Sequence, residues 1–110
     1  MKKIALLVVM FSLFCITNIE AAAYKGQRIY AKKCVSCHGK QKFIESKTKA
    51  QWQDVFKNNG KDLAYLHLQS EKAKASWKYF KSKKYTKKVH HLKDFLIEYA
   101  KDSGKVPACN

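Results

Sequence analysis

An all-α fold is predicted for this chain, on three observations. Apolar residues recur at spacings of three and four, at Trp52, Val55 and Phe56 and again at Val89, Leu92, Phe95, Leu96, Tyr99 and Ala100. Start and stop signals bracket these runs: Thr48-x-x-Gln51 has the form of a capping box, while Gly60, Gly104 and Pro107 read as stops. No alternating strand pattern surrounds the one cysteine-rich stretch, Cys34 to His38.

The chain opens with Lys2 and Lys3, an apolar run from Ile4 to Ile19, and the small residues Ala21-Ala22-Ala23. That order is a secretion leader, with cleavage expected after Ala21 or Ala23. The apolar run is short for a membrane span, which favours export over an uncleaved anchor. Cys15 follows the bulky Phe14, unlike a lipoprotein processing site. Residues 1–23 are therefore assigned to the signal peptide and 24–110 to one small domain.

Within that domain the first helix is expected from Lys25 to Cys37, carrying Ile29, Tyr30 and Val35. Gln41 to Lys47 reads as a loop whose Phe43 and Ile44 touch a cofactor or the core. The capping box starts a second helix, and Asp62 is a candidate cap for a third, bearing Leu63, Leu66 and His67. Ser70 to Phe80 forms a fourth, with Trp77 and Phe80 three apart. Lys81 to Lys88, rich in lysine, reads as a solvated loop before the closing helix.

Cys34-Val35-Ser36-Cys37-His38 is a C-x-x-C-H sequence, the pattern of covalent haem attachment. Cys34 and Cys37 can each add to one vinyl group of a single porphyrin, and His38 then binds the iron proximally. A zinc site would need two further ligands at metal spacing. Beyond the leader the only other cysteine is Cys109, and His67, His90 and His91 lie far downstream. A thioredoxin-like pair would want a βαβ context. One haem c, outside the cytoplasm, is the reading that absorbs all five residues.

The stretch from Gly26 to Gly39 resembles the opening helix and haem site of a small class I c-type cytochrome. It has a glycine early in the helix, Tyr30 four residues before Cys34, and Gly39 after the histidine. The resemblance implies a cytochrome c-like helical domain wrapped around one haem, with a closing helix crossing the first. Phe95, Leu96 and Tyr99 are then the expected contacts of Ile29 and Tyr30. It also implies electron transfer.

The sequence departs from that family at the second axial ligand. Its only methionines, Met1 and Met10, lie in the leader, so a thioether cannot serve. A histidine, a lysine or another side chain, or an open sixth position remain. His67 shares a helix face with Leu63 and Ala64 and is the first candidate distal ligand. A histidine there is commonly a packed core residue, but an iron in need of an occupant shifts the weight to ligation. His91, four before Phe95, is the alternative, whereas His90 aligns with Asp94 and faces solvent. Bis-histidine ligation points to a low-potential periplasmic electron carrier. An open or exchangeable site would instead make a haem-based binder or sensor of small gases. With one arginine, Arg28, and no acid–base group placed for a distal pocket, the domain is not expected to be an enzyme in its own right.

Of the formal charge of +15, the leader's Lys2, Lys3 and Glu20 account for a net +1, leaving +14 on the domain. Outside the cytoplasm this favours acidic redox proteins, or an anionic membrane surface, over nucleic acid. Steering by lysines would make encounter rates fall with salt. Cys109 is one thiol too many once haem takes the other two. It is free, joins two chains, or forms a disulfide with a cysteine that haem leaves unused.

Overall fold

The computed structural model describes residues 21–107. The leader apart from Ala21–Ala23, and Cys109 at the other end, lie outside the described residues. Among these residues the chain is helical and has no strand, as predicted. The order is α1 (Ala21–Lys33), α2 (Val35–His38), α3 (Gln41–Ile44), α4 (Lys49–Val55), a 3₁₀ turn (Asn58–Gly60), α5 (Lys61–Leu68), a 3₁₀ segment (Glu71–Ser76), α6 (Trp77–Phe80) and α7 (Lys83–Glu98). No helix among them is long and apolar enough to cross a membrane.

The frame is the crossing of α1 over α7. Tyr30 packs on Phe95 with ring centroids 5.6 Å apart, and Phe95 packs on Tyr99 at 5.4 Å. Val89, Leu92 and Phe95 are the most deeply buried large side chains; full burial of one such side chain is worth about 1.5–3 kcal/mol. Gly26 makes the close approach possible, since a Cβ there would lie 2.0 Å from the His91 carbonyl oxygen.

The capping box of α4 is present in full. Thr48 Oγ1 accepts from Gln51 N at 3.2 Å, and Gln51 Oε1 accepts from Thr48 N at 2.9 Å. Replacing Thr48 by alanine removes the first bond and loosens the second, for an expected loss of about 1 kcal/mol. In a domain of this size that lowers the melting midpoint by about 4–8 °C. Differential scanning calorimetry checks it.

Four boundaries differ from the sequence reading. The first helix begins at Ala21, so Ala21–Ala23 make its first turn with Ala23 buried, and it breaks at Cys34 before α2. The break is slight, because Cys34 N still bonds Tyr30 O and His38 N bonds Cys34 O, both at 2.9 Å. Gln41–Ile44 forms a helical turn rather than open loop, held by Trp52 Nε1 donating to Ile44 O at 3.0 Å. Asp62 sits in the first turn of α5, where its charge complements the helix dipole, and Gly60 at φ 76° occupies the cap. The region read as a solvated loop, Lys81 to Lys88, is largely the first turns of α7. Ser82 Oγ caps it by accepting from Tyr85 N. The lysines there are exposed, but Tyr85 is buried four residues before Val89 and extends the apolar stripe. Its hydroxyl donates to Gly60 O.

Candidate functional site

Cys34, Cys37, His38 and His67 line one apolar cavity of about 500 Å³. That volume falls within the range of about 300–1,000 Å³ usual for small-molecule and cofactor sites. The end of α1 and the short α2 form one wall. Tyr30 Oη donates to Gly39 O at 2.5 Å, which fixes the turn directly after His38. The His38 ring stacks on Phe43 at 4.2 Å, and Phe43 meets Trp52 edge-on at 5.5 Å. Phe43 thus faces the cavity while Ile44 enters the core, as the sequence led one to expect of the pair.

The opposite wall comes from α5 and α6. His67 stacks on Phe80 at 4.3 Å, and its Nδ1 lies 2.8 Å from Leu63 O. An imidazole in that position donates Nδ1–H to the carbonyl and leaves Nε2 with its lone pair free, the tautomer a metal ligand needs. Trp77 Nε1 donates to His67 O at 2.7 Å and to Ser70 O at 3.2 Å, closing the corner between α5 and α6. Val55, Phe56, Leu92 and Leu96 supply the floor, and Leu66 lines the mouth while largely exposed.

The ring centroids of His38 and His67 are 6.1 Å apart. His38 and His67 are thus near enough for one group in the cavity to meet both rings. Two thiols on one wall, two imidazoles at that spacing and an apolar floor form a donor set that fits a covalently held haem. Among the described residues no group of three or more His, Cys, Asp and Glu is arranged to hold a bare metal ion. A porphyrin would bring nitrogens of its own and would draw on His38 and His67 alone.

Electrostatics favour the neutral form of His38. Burial first, and then the charge of His67, holds His38 below its ordinary value, in the neutral metal-binding form. Burial, reinforced by Cys37, pushes the Cys34 thiol up to about 12. A disulfide oxidoreductase needs the opposite, a cysteine held as thiolate by a lowered pKa. Neither Cys34 nor Cys37 is in a disulfide.

The alternative distal candidate, His91, is not brought to this cavity. Leu92 and Leu96 of α7 face the cavity, and His91 lies about 100° round the helix, in a separate groove with Lys25 and Arg28. His90 is exposed. Sequence reasoning missed Phe80 as the stacking partner of His67, and the segment Glu71–Ser76 whose Lys72, Ala73 and Ser76 help line the cavity.

His91 carries a pH effect of its own. Burial of the ring, then the positive surroundings of His90, Lys25 and Lys88, lower its pKa below the ordinary 6.5 against the pull of Asp94. The unfolded chain therefore binds more protons near that value, and stability falls as pH drops through 6.5 toward the folded pKa. In His91→Gln the melting midpoint should decline less steeply between pH 7 and 5 than in the parent; parallel curves would refute the effect.

Comparison with protein-family models, curated proteins and solved structures gave no match for this chain.

Proposed function

We propose that the chain is an exported monohaem c-type cytochrome that carries single electrons, with His38 as proximal and His67 as distal ligand. The observation that carries this reading is the placement of His67 across an apolar cavity from the C-x-x-C-H segment, 6.1 Å from His38 between ring centroids. When bound there, haem supplies a one-electron couple. The protein's own part is to hold His38 neutral and to orient both imidazoles. Phe43 and Phe80 pack against the two rings, and Leu63 O fixes the His67 tautomer. Among the described residues no Asp or Glu lines the cavity, and its only histidines are His38 and His67, a lining that favours electron transfer over acid–base catalysis at the iron.

Lys33, Lys47 and Lys72 stand around the cavity. Placed there, they favour acidic redox proteins as partners. Localisation beyond the cytoplasmic membrane follows from the leader in this reading, since covalent haem is attached there.

The test is the optical spectrum of the matured ferrous protein with and without carbon monoxide. Sharp, low-spin α and β bands that the gas leaves unmoved are expected. A prompt carbonyl spectrum would mean an open sixth position, and the gas-binding or sensing alternative would take its place.

A further inference from the structure

The second groove of the molecule lies between α1 and α7, and its chemistry is unlike that of the haem-sized cavity. Lys25, Arg28 and Lys32, at i, i+3 and i+7, line one side; Lys84, Lys88 and His91, at i, i+4 and i+7, line the other. These spacings put each set on a single helix face. Among the described residues no carboxylate lines the groove, whose volume is about 420 Å³. The ion pairs among the described residues involve Lys57 and Lys105, so none of the groove's cations is neutralised by one.

Two further observations separate this groove from an ordinary solvated lysine surface. Nδ1 of His91 is buried without a hydrogen-bond partner, although buried polar atoms are almost always satisfied. The two cationic stripes also flank the Gly26 crossing, where α1 and α7 come into close contact. The exposed cations of both stripes line a concavity whose apolar residues are Ile29 and Tyr79.

The geometry points to a binding site for a phosphate-bearing anion in the groove between α1 and α7. Arg28 offers a planar fork that can pair two phosphate oxygens, the lysines act as point charges around it, and His91 adds an imidazole. The shared chemistry is the phosphate group, from a free polyphosphate ester or from a phospholipid headgroup. The proposal does not depend on what occupies the cavity.

The probes are inorganic pyrophosphate, by isothermal titration calorimetry of the full domain, and vesicles of phosphatidylglycerol in phosphatidylcholine, by co-sedimentation. The variant Arg28→Gln/Lys88→Gln removes two groove charges. Lys49→Gln/Lys61→Gln removes two exposed charges elsewhere. Circular dichroism establishes that both remain folded. Saturable one-to-one pyrophosphate binding that weakens tenfold or more in the groove variant, but less than threefold in the control, is expected. Vesicle binding with the same variant pattern assigns the phosphate to a lipid headgroup; vesicle binding blind to the groove variant assigns it to a free anion. Equal weakening in both variants, or no saturable pyrophosphate binding, overturns the site.

Discussion

His67→Ala is expected to turn a low-spin protein indifferent to carbon monoxide into one that binds it readily. The substitution removes the only imidazole that faces His38 across the cavity. It also removes the stack on Phe80 and the bond to Leu63 O, both of which serve to orient that ring. The helix itself should survive, because alanine is a good helix former and Trp77 bonds the backbone carbonyl of residue 67 rather than its side chain. Added imidazole should restore the low-spin spectrum, which a loss of fold would not permit. His91→Ala is the matched control: it lies in the other groove and should leave the spectrum unchanged. The converse pattern, a spectrum lost with His91 and kept without His67, would reject His67 as the ligand. Should His67→Ala remain low-spin, Lys72 on the same cavity is the next residue to substitute.

What the sequence could and could not say follows from the range of each interaction. The Thr48 capping box spans three residues, and both of its hydrogen bonds are local; it was legible and is present. The apolar stripe of the closing helix was equally legible, and so was the Tyr30–Phe95 contact once the resemblance supplied a crossing of first and last helices. The start of α7 was missed because four lysines between 83 and 88 outweigh one tyrosine in composition, while burial of Tyr85 depends on Gly60, twenty-five residues away. The choice between His67 and His91 was illegible for the same reason. Each lies beside an apolar helical face, and only the tertiary crossing decides which face meets the cavity. Phe80 and the Glu71–Ser76 segment have no local signature that would tie them to His67.

That crossing is also where the largest loss of stability is expected. In Gly26→Ala a Cβ would stand 2.0 Å from His91 O, 2.6 Å from Phe95 Cβ and 2.7 Å from the His91 carbonyl carbon. Two of these three atoms are backbone, so no rotamer change relieves the contact and the helices must part. Two effects oppose each other. Alanine improves helix propensity over glycine by about 1 kcal/mol. Overpacking a well-filled contact costs about 1–3 kcal/mol, and more where backbone must move. Because backbone must move here, the cost lies at the upper end of its range and wins by about 2 kcal/mol, for a midpoint lowered by roughly 8–16 °C. Gly104→Ala separates this from a general penalty on glycine replacement. Gly104 has φ 69° with nothing within 4 Å of its Cβ position, so only backbone strain applies, at about 1 kcal/mol. An unchanged or higher midpoint in Gly26→Ala would mean that the helices do not approach this closely. The consequence would reach further than stability, because α7 carries Leu92 and Leu96 into the haem-sized cavity and Lys88 and His91 into the basic groove. Parting the helices at Gly26 should therefore weaken pyrophosphate binding and broaden the optical bands together, although residue 26 lines neither cavity nor groove.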